Sequence, residues 1–212
     1  KSKSWSEAWK PCEEKYGIYN WIHAYPNAAA EVVAMYFGDC DFDKTMNISS
    51  MEGFDIEKVE QGFRDGAKAI IVCNPSNPCG KVFTRDELTL IGSLAIKYDS
   101  WIITDEVYEH ILYKPNEHVY TMTLPGLRER TIVCNSLSKT YSVTGWRLGY
   151  VIAPPEAADR VKKVHDFLTV GAAAPLMEAA VTALRFDDKY YEDLQAHYTH
   201  MKNLFVGGMR DL

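Results

Sequence analysis

The sequence has no C-x-x-C pair, no apolar run long enough to cross a bilayer and no long block of charges of one sign. Each absence removes a class of function. Five cysteines, Cys12, Cys40, Cys73, Cys79 and Cys134, are an odd number without paired spacing, which argues against a disulfide framework and fits a reducing, cytoplasmic compartment. The longest apolar stretches, such as residues 67–73 with Lys68 inside them, fall far short of the roughly 20 residues of a membrane helix. The first residues lack the basic-then-apolar layout of a signal peptide. A net charge of -6 with the signs interspersed argues against a nucleic-acid or anionic-membrane partner and leaves small-molecule chemistry open. Internal repeats and low-complexity tracts are missing, which sets repeat architectures aside.

What is present reads as a globular α/β chain of 212 residues, 47% of them hydrophobic. From Ala69 onward, short apolar runs bounded by turn residues alternate with helical patterns, the signature of a mostly parallel sheet flanked by helices. The expected strands cover residues 69–73, 101–104, 131–135 and 148–153, each apolar enough to be covered on both faces. A helix is announced between the first two by Thr84 and Glu87 at capping-box spacing, with Leu88, Ile91, Leu94, Ala95 and Tyr98 on one face. Another opens after Pro154 and Pro155 with Val161, Val164 and Leu168 as its stripe, and a third spans residues 177–184. Residues 188–212 read as a long helix leaving the sheet, broken by Gly207 and Gly208. Residues 1–24, with Trp5, Trp9, Tyr16, Tyr19 and Trp21 among charges, have no steady period and no assignment.

Three polar clusters follow three strands: N-P-S-N-P-C-G at 74–80, D-E-V-Y at 105–108 and S-L-S-K-T at 136–140. In a parallel sheet such segments gather at the carboxyl edge, where α/β proteins bind ligands. Singly, each has an ordinary reading: a turn, a helix cap at Asp105, a solvated surface lysine at Lys139. Together with G-W-R-L-G at 145–149, in this order and at these spacings, they resemble the class I/II aminotransferases of fold type I, over residues from about Tyr25 to the end.

That resemblance implies a cofactor, pyridoxal 5'-phosphate, and a role for each matching residue. Lys139 corresponds to the Schiff-base lysine, for which an amine is chemically required. Asp105 corresponds to the carboxylate that keeps the pyridine nitrogen protonated. Tyr108 and Asn77 match the ligands of the phenolic oxygen, Ser136 and Arg147 those of the phosphate, and Tyr25 the aromatic ring stacked on the cofactor. The implied reaction is transfer of an amino group between an amino acid and a 2-oxo acid in a homodimer, with no metal, nucleic acid or membrane. The implied organisation is an unassigned segment at 1–24, a cofactor-binding large domain at 25–187 and a helix at 188–212 leading toward a small domain.

Two family pieces have no match: a glycine-containing phosphate loop before Tyr25, where residues 1–23 hold only Gly17, and an arginine for the substrate carboxylate, for which Arg210 comes too early. The chain is therefore expected to be part of a longer enzyme or a truncated relative. Alternatives on the same residues are a C–S β-lyase, since the run V-F-T-R-D-E-L at 82–88 occurs in such relatives, and a non-catalytic sensing module that keeps Lys139. Asp39, Asp41 and Asp43 start like a calcium loop, but Lys44 and Ser50 stand where glycine and glutamate are needed. His197 and His200 lie one helical turn apart with no third zinc ligand. Cys79 is a reactive thiol only if its surroundings lower its pKa, and Trp146 reads most simply as a packing residue, with a place in the wall of the phosphate site as the alternative.

Overall fold

A computed structural model describes residues 45–47 and 56–210. Tyr25, the aromatic-rich first two dozen residues, the three alternating aspartates, Cys12 and Cys40 lie outside them. In chain order the elements are β1 (Thr45–Asn47), α1 (Ile56–Arg64), β2 (Ala69–Cys73), α2 (Arg85–Lys97), β3 (Trp101–Asp105), β4 (Thr131–Ser136), α3 (Leu137–Thr140), β5 (Gly149–Ile152), α4 (Pro155–Thr169), α5 (Ala174–Ala183) and α6 (Asp188–Arg210). Short 3-10 turns at Thr121–Thr123, Arg128–Arg130 and Thr144–Trp146 complete the list.

The sheet order is β1-β2-β3-β4-β5, parallel through β4 and antiparallel at β5. Successive side chains on a strand point to opposite faces, and β2 shows what this does in a two-sided sheet. Ile70 and Val72 join Val59, Phe63, Leu88, Ile91 and Ile102 under α1 and α2. Ala69 and Ile71 join Ile103, Ile132, Ala157 and Val161 under α4. Each such aliphatic side chain, once fully buried, contributes about 1.5–3 kcal/mol.

Helix α2 starts where its local chemistry dictates. The Thr84 hydroxyl accepts from Glu87 N–H (3.2 Å) and Glu87 Oε2 accepts from Thr84 N–H (2.8 Å), the reciprocal pair expected from the sequence. Lys81 adds an ion pair to the same Glu87 at 2.8 Å. The run at 82–88 is thereby accounted for as a helix cap.

Three expectations need correction. The strand expected at 148–153 is shorter, antiparallel and mostly exposed rather than covered on both faces, with Ile152 44% accessible. The chain from β4 to β5 spans residues 137–148, at the lower limit of about a dozen residues for a parallel crossover, and its one helix is the single turn of α3; β5 turns back beside β4. Leu168 is exposed, as is Phe167 beside it, and the buried residues of α4 are Ala157 and Val161 in its first half. Gly207 and Gly208 do not break α6, which continues to Arg210; two glycines in a long helix cost roughly 1 kcal/mol each without stopping it. Among the described residues no helix is long and apolar enough to cross a membrane.

Candidate active site

The carboxyl ends of the central strands are level. Cys73 pairs with Asp105 and Asp105 with Cys134. Beyond them, Asn74 N–H donates to the Asp105 carbonyl (2.9 Å) and Glu106 N–H to the Cys134 carbonyl (3.0 Å). The three polar clusters therefore leave the sheet at one edge. Strand β5, running the other way, begins at that edge with Gly149 opposite Ser136, which brings in Arg147.

Asp105 ends β3, and its Oδ1 accepts from Val107 N–H at 3.2 Å, so it starts a turn rather than capping a helix. Burial, reinforced by the Asp105 charge, pushes the Cys73 thiol up to about 12. Burial, then Asp105 and Glu106, pushes the Cys134 thiol up as well. A turn closed by Glu109 N–H on the Glu106 carbonyl (2.9 Å) presents Tyr108, whose hydroxyl accepts from Asn77 Nδ2 at 3.2 Å. Since Tyr108 accepts in that bond, its own hydrogen is left to donate elsewhere.

Lys139 is the third residue of α3 and is half-buried, with Nζ 5.6 Å from the centroid of the Tyr108 ring. Among the described residues no carboxylate forms an ion pair with it. Ser136 is the N-cap of α3; its Oγ accepts from Ser138 N–H (3.0 Å) and donates to Ser138 Oγ (2.6 Å). Thr144 Oγ1 donates to the Ser138 carbonyl (3.1 Å), folding the next loop back over α3. Arg147 is exposed and adopts φ 56, ψ 41, a left-handed conformation that costs a non-glycine residue about 1 kcal/mol and recurs at functional sites. Its Nη1 donates to the Thr144 carbonyl at 2.9 Å. Trp146 is 40% accessible, at odds with a packing role.

Several residues that the sequence did not single out stand behind this edge. Glu106, wholly buried, meets His118 Nε2 at 3.0 Å, while Glu106 Oε1 and His118 Nδ1 have no hydrogen-bond partner among the described residues. Glu109 Oε1 accepts from Asn135 Nδ2 at 2.7 Å, and Asn135 Oδ1 accepts from Ser136 N–H at 2.7 Å. Ligand atoms of Glu106, Glu109 and His118 lie within 4.8 Å of one another, but these hydrogen bonds already engage each side chain. The Tyr120 hydroxyl is pushed up by burial and by the Glu109 carboxylate beside it. The one available signal was the D-E pair itself, whose two side chains must face opposite ways at a strand end. Helix α6 is fastened to the same region by Tyr190, whose hydroxyl donates to the Thr140 carbonyl (2.8 Å), and by Tyr191, bonded to Tyr141 (2.8 Å) and tilted against the His110 ring with centroids 4.3 Å apart. On α6, His197 rests edge-on against Tyr198.

Comparison with known proteins gives a consistent result. Residues 38–212 match the family model described as aminotransferase class I and II. The chain is 41% identical over 147 residues to human kynurenine–oxoglutarate transaminase 3, covering 69% of this chain and 32% of that protein. Among solved structures, an aromatic aminotransferase from Pyrococcus horikoshii OT3 superposes with a TM-score of 0.70 at 25% identity, over 81% of this chain and 53% of the other. N-succinyldiaminopimelate aminotransferase from Mycobacterium tuberculosis gives 0.76 at 22% identity, over 86% and 55%, a likeness of fold. The chain thus spans about a third of the length of the human relative.

Proposed function

The chain belongs to the class I and II aminotransferase family, and from that premise we propose that it is the cofactor-holding part of an enzyme that moves an amino group between an amino acid and a 2-oxo acid. The observation that carries the proposal is the gathering of Lys139, Asp105, Ser136 and the Asn77–Tyr108 pair at one sheet edge. This donor set fits pyridoxal 5'-phosphate: an amine for the aldehyde, a carboxylate for the ring nitrogen, two hydrogen-bonding groups for the phenolic oxygen, and a hydroxyl and a guanidinium for the phosphate. Tyr25 is proposed as the stacking ring on the family pattern alone.

When bound, that cofactor supplies an electron sink for breaking the Cα–H bond of an amino acid. The chain's residues supply the rest. Lys139 Nζ would hold the aldehyde covalently and, once released, carry the proton taken from the substrate Cα. Asp105 would keep a proton on the ring nitrogen by its adjacent negative charge. Tyr108, accepting from Asn77, would turn its hydroxyl hydrogen toward the phenolic oxygen. Ser136 and Arg147 would anchor the phosphate, and the left-handed backbone at Arg147 sets the direction in which its side chain leaves the loop.

The same proposal takes residues 25–187 as the cofactor domain and 188–212 as the start of a connection to a smaller one, working as a cytoplasmic homodimer. Free thiols at Cys73, Cys79 and Cys134 accord with a reducing compartment. The test is the ultraviolet-visible spectrum of the protein with pyridoxal 5'-phosphate, borohydride trapping, and an amino-acid panel that includes kynurenine with 2-oxoglutarate as acceptor. Wild type should be trapped covalently and Lys139→Ala should not. A Lys139→Ala protein that is still trapped would overturn the assignment, and pyruvate and ammonia release without an acceptor would make the enzyme a lyase.

A further inference from the structure

The hydrogen bonds behind the site form a line between its two halves. Glu109 follows Tyr108 directly, in the segment that leaves β3. Asn135 precedes Ser136 directly, at the carboxyl end of β4. The 2.7 Å bond from Asn135 Nδ2 to Glu109 Oε1 therefore joins the strand end that presents Asp105 and Tyr108 to the one that presents Ser136 and Lys139.

The line has a defined polarity. Glu109 as a carboxylate only accepts, so the Asn135 amide must turn its nitrogen toward it. The Asn135 oxygen is then left facing Ser136 N–H, which donates at 2.7 Å. Ser136 in turn caps α3 through its hydroxyl, three residues before Lys139. Asn135 is 8% accessible and the Glu109 side chain 12%, so water cannot easily substitute for either partner. A carboxylate held in so enclosed a place is a poor investment for stability alone, since an apolar pair of similar volume is often as stable. On the far side, the Glu109 oxygen that receives Asn135 has His110 Nε2 at 3.6 Å, and Tyr120 stands beside the same carboxylate.

We propose that Glu109 and Asn135 are positioning residues: their hydrogen bond fixes the orientation of the Asn135 amide, and through it the placement of Ser136 and Lys139 relative to Tyr108. The inference rests on the reading of this edge as a pyridoxal 5'-phosphate site and adds two residues that do not touch the cofactor. Asn135→Asp places a carboxylate against Glu109, and the repulsion swings the side chain away from Ser136 N–H. Glu109→Gln keeps an acceptor oxygen for the Asn135 amide but loses its charge. The double variant Asn135→Asp/Glu109→Gln restores the bond with donor and acceptor exchanged, and the new carboxylate can still accept from Ser136 N–H.

The experiment measures pyridoxal 5'-phosphate dissociation from wild type and the three variants, together with amide hydrogen exchange at Ser136 in the cofactor-free proteins. We expect Asn135→Asp to weaken cofactor binding at least tenfold and to speed Ser136 exchange by a similar factor. Glu109→Gln should lose three- to fivefold, and the double variant should return to within about threefold of wild type, a non-additivity that independent sites do not show. A single Asn135→Asp that binds and exchanges like wild type, or a double variant no better than that single one, overturns the inference. Failure of wild type to take up the cofactor at all overturns the parent reading instead, and the exchange data then judge the Glu109–Asn135 contact by themselves. If Asn135→Asp does not fold, the comparison of Glu109→Gln with the double variant decides: the double variant must bind the cofactor at least as tightly as Glu109→Gln, and weaker binding overturns the inference.

Discussion

Gly149 offers a sharp test of how tightly the site edge is built. A β-carbon placed on it would lie 2.8 Å from the Asn135 carbonyl oxygen and 3.6 Å from Ser136 Cα and Cβ. The nearest atom is backbone of the neighbouring strand, so no rotamer change can relieve the overlap, and β4 and β5 must part. Overpacking of this kind costs about 1–3 kcal/mol, offset by about 0.4–1 kcal/mol from the stiffer unfolded chain when glycine becomes alanine. Gly149→Ala should therefore lose on the order of 1–2 kcal/mol in urea denaturation. Because Gly149 is the register partner of Ser136, cofactor binding should also weaken, by roughly tenfold if about 1.4 kcal/mol of the strain falls on the site. Gly145 is the control, since among the described residues nothing lies within 4 Å of its β-carbon and its φ is not positive; Gly145→Ala should be neutral or slightly stabilising. Equal stability and equal cofactor affinity in Gly149→Ala and wild type would refute the reasoning.

Three further outcomes follow from the geometry. Thr84→Ala removes half of the capping box and should cost about 1 kcal/mol, measured by chemical denaturation. Glu106→Ala strands His118 in the core without its partner and should cost about 3–5 kcal/mol, while Glu106→Gln, which keeps an oxygen for the imidazole, should cost clearly less. Burial lowers the His110 pKa against the opposing pull of Glu109, with His118 adding to the lowering. A folded pKa below the unfolded value of about 6.5 means that the contribution is complete above that pH and is lost as pH falls through the folded value. His110→Phe keeps a ring against Tyr191 but cannot titrate, so its stability should fall less steeply than wild type between pH 7 and 5, by at most about 1.4 kcal/mol per pH unit.

The parts legible in the sequence are those fixed by short-range chemistry. The capping box at Thr84 and Glu87 is complete within four residues, and the apolar runs of β2, β3 and β4 need no partner to be read. The direction of β5 was not legible, because an apolar run looks the same whichever way it is traversed; only the short span from residue 137 to 148 constrains it. Leu168 belongs to a regular helical stripe, and nothing local says that only the first half of that stripe is buried. Glu106, His118, Glu109 and Asn135 were missed for a common reason. Charged and amide side chains are usually solvated, so their burial emerges only when strands distant in sequence are brought together. Convergence at the carboxyl edge followed from strand order, whereas the line from Glu109 to Ser136 required the actual register of β3 and β4.

The reversal at β5 also bears on how the chain finds its fold. Ser136 and Gly149 are register partners 13 positions apart, whereas Ala69 and Trp101 are 32 apart and Ile102 and Thr131 are 29 apart. Loop-closure entropy grows with the logarithm of the separation, so joining β4 to β5 costs about 0.8 kcal/mol less than joining β2 to β3. The segment bearing Lys139 is therefore enclosed by the most local strand pairing in the sheet and can be shaped as a hairpin before the parallel strands assemble around it.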